Sequence, residues 1–236
     1  MSITASDLLD VQAVASDSPP ALADGLRAII RADAQDAAQT QALVTDEVTE
    51  EVLLAALVAV VPDALERHVA QGIVAEATAA GLRDVGRKAR AYGVRTVLPW
   101  VLSILRGDVI ELGRLQVERV PGPNGYGLHI PEGGPLTADV VSDSLARIRT
   151  VLGDVPLVCS SWILDPALQE DLPTGNLAAF ARRFAIEVAD DPNAGSGSDA
   201  VVKFVFHRPL AEVMDEDAVV PTTSLERAVA RRLRSG

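Results

Sequence analysis

Cysteine occurs once in this chain, at Cys159, histidine three times, and aromatic side chains make up only 3% of 236 residues. A single cysteine excludes an intramolecular disulfide and leaves no thiolate cluster for structural zinc. His68, His129 and His207 stand far apart without HExxH spacing, so no metal is expected. Basic residues are outnumbered 21 to 33, and the formal charge of −12 repels nucleic acid and anionic lipid at long range. Neither nucleic acid nor membrane is therefore an expected partner. Charge is screened beyond about 8 to 10 Å, however, so a local basic patch can still hold a small anion. Apolar runs are too short to cross a bilayer, which takes roughly 20 residues. The longest, VLLAALVAVV at 52–61, stops at Pro62 and reads as a buried helix. The opening MSITASDLLD has no basic stretch ahead of an apolar core, so a cytoplasmic chain without a secretory signal is expected. A GxSxG elbow is also missing, which removes the ordinary serine-hydrolase arrangement.

What the chain does have is apolar material, 48% of its residues, enough for one large core or two modest ones. Residues 1 to about 108 read as helix after helix. Pro19-Pro20 opens a helix running to about Ala32, and Thr45 or Asp46 caps another, with Glu47, Glu50 and Glu51 near its positive end. A further helical stretch punctuated by Gly72 and Gly81 ends near Gly93. VRTVLPWVLSILRG then carries Pro99 inside it, where a kink or a late helix start is expected.

After Gly107 the period changes. LGRLQVERV at 112–120 alternates apolar and polar residues as a strand does, and PGPNG at 121–125 turns it into a second strand, YGLHI. Thr137 is placed to cap a helix over 138–152 with Val141, Leu145, Ile148 and Leu152 on one stripe. VPLVCSSWIL at 155–164 reads as a sheet-interior strand, and Asp165-Pro166 as an N-cap followed by proline. NLAAFARRF continues as helix, AIEVAD at 185–190 and VVKFVFH at 201–207 as strands around a polar loop. Thr223 and Glu226 have capping-box spacing before LERAVARRL. The class is α+β: a helical N-terminal domain over residues 1–108, then a mixed β-sheet domain with flanking helices over 109–236.

LHIPEGGPLT, CSSWILDP, GNLAAFARRF and VVKFVFH, in that order and spacing, resemble the C-terminal part of a bacterial acyltransferase family. That family joins a helical N-terminal domain to a GNAT-like C-terminal domain. Two departures stand out. The family pattern has histidine where this chain has Ser160. The usual GNAT pyrophosphate loop, Gln or Arg, two residues, Gly, one residue, Gly or Ala, is replaced by Pro131-Glu132-Gly133-Gly134-Pro135.

The resemblance implies transfer of an acyl group from acyl-CoA to a small amine or peptide, with no metal. It places the pantetheine arm beside the strand end at Ile130 and the pyrophosphate over Gly133 and Gly134, where Thr137 can add a hydroxyl. Asn176 either reaches a pantetheine amide or caps its own helix. Imidazoles titrate near neutrality, which makes His129 the first candidate base, with Glu132 the alternative. Ser160 and Ser161 offer hydroxyls to the thiolate or the acceptor. Each residue also has a plainer reading: the glycines as a tight turn, His129 facing solvent or bonding a neighbour, Glu132 as a surface carboxylate, Cys159 and Trp162 as core. Arg182 and Arg183 lie about 100° apart on a helix, so only one can face a phosphate or acidic substrate. The competing function is a non-catalytic GNAT-like scaffold whose helical domain binds a protein or peptide partner.

Overall fold

The computed structural model describes residues 3–12, 18–185, 201–202, 205–206, 208, 210–215 and 219–235. Seven helices come first: α1 (Ala5–Leu9), α2 (Pro20–Arg31), α3 (Ala37–Leu43), α4 (Glu50–Ala59), α5 (Val61–Ala70), α6 (Ala75–Tyr92) and α7 (Val94–Leu105). Strands β1 (Val109–Leu112), β2 (Leu115–Glu118) and β3 (Tyr126–His129) follow, then α8 (Ala138–Leu152) and β4 (Leu157–Val158). A 3-10 turn at Trp162–Leu164 leads to α9 (Pro166–Asp171), α10 (Asn176–Ala181), α11 (Leu210–Met214) and α12 (Ser224–Ser235). The fold is α+β, as expected. No helix among the described residues is long and apolar enough to cross a membrane. Two compact units divide the chain: residues 1–132 with 146–157, and residues 133–145 with 158–236.

In the first unit, local chemistry starts several of the helices. Pro20 sits at the first turn of α2, Asp36 accepts from the Ala38 N–H, and Thr49 accepts from Val52. The cap expected at Thr45 or Asp46 is thus at Thr49. The Thr45 carbonyl instead accepts the Val48 N–H in the preceding turn. Glu50 has a second use: its carboxylate accepts from Val94 at 2.7 Å and from Arg95 at 3.2 Å, closing the open N-terminus of α7. Pro99 lies inside α7 without ending it. Leu26, Ile30, Leu53, Leu57, Val101 and Leu105 meet in the fully buried core, each removal from water being worth about 2 kcal/mol.

Arg106, 1% exposed, crosses that core as a tie. Its guanidinium donates to the Ile29, Ala32 and Asp33 carbonyls at the end of α2, and to Asp108 at 2.5 Å. A cation at the negative end of a helix, with its donors satisfied, is tolerated where a bare charge is not.

β1, β2 and β3 form an antiparallel meander, and the sheet order continues to β4. Here the sequence reading needs correction. LGRLQVERV is not one strand: Gly113, at φ +72, turns the chain between β1 and β2, so the strand before it was missed. The strand expected over 155–164 is reduced to two residues. Ser161 accepts from the Ile163 N–H and Asp165 caps α9, so capping chemistry ends extension early.

The second unit builds a small core of Leu168, Ala228 and Val229, with Trp162, Leu225, Leu233, Val201 and Phe206 against it. The capping box at Thr223 and Glu226 forms as expected. Val201, Val202, Val205 and Phe206 are helical, not strand, and the side chains of Val201, Val205 and Phe206 pack on this helical cluster in place of a ladder. The strand expected at 185–190 lies, apart from Ala185, outside the described residues, as do the loop after it and Lys203, Phe204 and His207.

Candidate active site

The first unit gathers its polar groups on one face of the meander. The register sets Glu111 opposite Gln116, Gln116 opposite His129 and Val109 opposite Glu118. Alternation then puts Glu111, Gln116, Glu118, Gly127 and His129 on one side, with Ile110, Val117 and Leu128 on the other. Towards one edge, Gln116 donates to Asp84 at 2.9 Å and to Glu111 at 3.0 Å. Arg87 of α6 donates to the same two carboxylates at 2.9 and 2.6 Å. Burial drives the Glu111 carboxyl above its ordinary range, against the pull of Arg87.

Towards the other edge stands His129. Its Nε2 lies 2.7 Å from Glu118 Oε1, and its ring meets Trp100 of α7 edge-on at 4.6 Å between centroids. With Nε2–H donating to the carboxylate, Nδ1 carries the lone pair. His129 and Glu118 are about a third exposed, 34% and 38%. Gly127 makes the arrangement possible, because a Cβ there would stand 2.5 Å from the Glu118 carboxylate carbon. The Trp100 indole N–H is buried without a hydrogen-bond partner among the described residues. A groove of about 350 Å³ runs along α7 and the β1–β2 hairpin, with Trp100 and Glu118 in its wall.

The loop after β3 is tied down. Ile130 is half-buried, and Arg114 donates to the Pro131 carbonyl at 2.5 Å. The Tyr92 hydroxyl donates to Glu132. Burial, then that bond and the charge of Glu132, push the Tyr92 hydroxyl far above its usual range, so it remains a proton donor. Glu132 is therefore an engaged carboxylate. His129 and Glu132, the two candidate bases, each hold a partner of their own.

In the second unit, Gly133 and Gly134 are exposed at φ +119 and +41, and nothing lies within 4 Å of a Cβ built on Gly133. The Thr137 carbonyl accepts the Val141 N–H, which makes Thr137 the first bracket of α8. Arg183 reaches the same turn, donating to the Ala138 carbonyl at 3.1 Å and to Ser142 Oγ at 2.9 Å. Arg182 donates instead to the Pro173 carbonyl. Ser160 is exposed, Ser161 is occupied as a cap, and burial raises the Cys159 thiol to about 12. Asn176 is exposed at the first position of α10. Its expected capping role falls to Gly175, whose φ of +93 suits glycine. Sequence reasoning missed Glu118, Trp100 and Tyr92. Only the polar positions of LQVERV hinted at Glu118, and which strand it would face was not written locally.

A GNAT-like C-terminal domain matches residues 109–236, and an N-acyltransferase N-terminal domain matches residues 5–98. The chain is similar to an acyltransferase solved in complex with decanoyl-CoA and teicoplanin, at 30% identity and a TM-score of 0.64. That match covers 77% of this chain and 61% of the other, so this chain spans about three fifths of its relative's length. A structure of acyltransferase with CoA and 10C-teicoplanin is similar at 29% identity and the same TM-score and coverage. An acyltransferase in complex with decanoyl-CoA shares the fold over 97% of this chain and 81% of its own, at 24% identity and a TM-score of 0.74. No curated protein sequence matches.

Proposed function

Because the chain belongs to the family that joins an N-acyltransferase N-terminal domain to a GNAT-like C-terminal domain, we propose that it transfers an acyl group from acyl-CoA to the nitrogen of a small amine or peptide. The helical domain is taken as residues 1–108 and the transferase domain as 109–236, working in the cytoplasm. The observation that carries the reading is the 2.7 Å contact between His129 Nε2 and Glu118 Oε1 at the end of β3. An amine must lose a proton to attack a thioester, and an imidazole oriented by a carboxylate is a group built to take one.

In this reaction the acceptor nitrogen attacks the thioester carbonyl carbon and the C–S bond breaks. His129 Nδ1 takes the proton that the nitrogen gives up. Glu118 stabilises the resulting imidazolium, and the sulfur leaves as the thiolate, which takes that proton to become the free thiol and returns His129 to its neutral form. The backbone at Ile130, Gly133 and Gly134, with Thr137 and Asn176, is assigned to acyl-CoA. Arg183 supplies positive charge at the first turn of α8. Ser160 and Ser161 are assigned to the neighbourhood of the reacting thioester. The solved relatives with decanoyl-CoA support a donor with a medium-length chain.

Decanoyl-CoA added to the full chain is expected to raise its melting temperature, since a ligand bound only by the native state stabilises it by RT ln(1 + [L]/Kd). Thiol release with an amine acceptor is then expected to fall roughly 10²-fold in His129→Ala and to recover partly with free imidazole. An absent thermal shift at millimolar ligand supports the non-catalytic binding module instead. A normal shift with unchanged turnover in His129→Ala moves the base to Glu132 or to a water relay.

A further inference from the structure

We propose that the groove along α7 and the β1–β2 hairpin is the seat of the acceptor, and that it selects a primary ammonium carried on an apolar, ring-sized body; this rests on the N-acyltransferase reading above. Pro99, Trp100 and Val120 supply apolar wall, while Gln35, Ser103, Asp108 and Glu118 supply the polar positions. Among the described residues its lining holds two carboxylates and no basic side chain. The two acids are not equivalent. Asp108 is already held by the Arg106 guanidinium at 2.5 Å, so its charge is largely answered inside the protein. Among the described residues, the side-chain partner of Glu118 is the His129 imidazole, which is neutral whenever it is ready to act as a base. Glu118 therefore leaves a negative charge in the groove wall that a cation can complement.

The chemistry and the placement agree. An amine arrives in water as an ammonium ion and must lose a proton before it attacks. Here the carboxylate that draws the cation in is the one that touches the base. His129 also meets Trp100, a second wall residue, edge-on at 4.6 Å. The volume, about 350 Å³, lies at the small end of ligand pockets. It suits one ring and a short amine arm, and a larger acceptor would insert only its amine-bearing residue.

The test is calorimetric titration of the full chain, without acyl-CoA, using 2-phenylethylamine, 2-phenylethanol and phenylacetate, which share a ring and differ in charge. The amine is expected to bind about tenfold tighter than the alcohol, and the acid not at all. Glu118→Gln is expected to weaken amine binding about tenfold. Val120→Arg places a cation at an exposed rim position, 63% accessible, where folding is not at stake. It is expected to weaken the amine without altering the decanoyl-CoA thermal shift. No binding of the amine, equal binding of all three probes, or an amine affinity unchanged in both variants overturns the proposal. A decanoyl-CoA shift with no charge preference sinks the groove alone. A charge preference with no decanoyl-CoA shift sinks the transferase reading and leaves an amine site.

Discussion

A Cβ on Gly127 would sit 2.5 Å from the carboxylate carbon of Glu118, the residue that holds His129 from the neighbouring strand. Gly127→Ala therefore forces Glu118 aside. Its carboxylate is the far end of a flexible side chain, so the stability cost is expected to stay near about 1 kcal/mol. Turnover is expected to fall up to about 10²-fold, with acyl-CoA binding kept, because the proposed base, His129, loses its orientation. Thiol-release kinetics beside a melting curve separate the two effects, and full activity in this variant would show the Glu118 contact to be dispensable.

His68 is 2% exposed, with Nε2 2.9 Å from the Ile104 carbonyl and Nδ1 3.1 Å from Thr78 Oγ1. That pattern fits a neutral ring donating from Nε2. Burial lowers its pKa below the ordinary 6.5, partly opposed by the bond to Ile104. The unfolded chain thus binds this proton more readily than the folded one. His68's contribution is full above about pH 6.5 and is lost as pH falls towards the depressed folded value. In urea titrations the stability gap between the native chain and His68→Gln is expected to narrow from about pH 7 to pH 5. A constant gap contradicts this.

Arg106→Met keeps the volume and removes the charge. Three carbonyls and Asp108 lose their donor inside the core. A loss of about 3 kcal/mol or more is expected in equilibrium unfolding. A loss under about 1 kcal/mol would place the tie among the weak surface contacts.

Gly86 lies within α6, where alanine would ordinarily gain about 1 kcal/mol of helix propensity. Its Cβ would meet backbone, however: the Asp10 carbonyl oxygen at 2.2 Å and that of Leu9 at 2.5 Å. Backbone cannot rotate away, so Gly86→Ala is expected to push α1 off α6 and to cost about 1 to 3 kcal/mol. Loss of the 2.6 Å Arg90–Asp10 pair should follow. Faster amide exchange over residues 5–9 checks this, and a stabilised variant refutes it.

The amphipathic runs, the Asp165 cap, the capping box before α12 and the turn at PGPNG could be read directly, because each rests on residues within four positions of one another. The short β4 and the helical Val201 and Phe206 could not. A continuous apolar run buries equally well in a strand or a helix, and neighbours decide which. The local strings around Gly133 and Trp162 also carried the family.

His129 shows where local reading stops. Sequence placed it at a strand end and left it a choice between solvent and a neighbour. Its partner, Glu118, is eleven residues away. The turn at 121–125 and the register across β2 and β3 bring the two together, and α7 sets Trp100 against the ring. The amino-acid order by itself determined which segments coil, where they start and which faces are apolar, since those depend on backbone and side chains a turn apart. Tertiary structure alone decided which candidate base, His129, has a carboxylate behind it and which, Glu132, is tied to Tyr92. Strand register and helix docking are settled by packing over long separations, and no short stretch of chain encodes them.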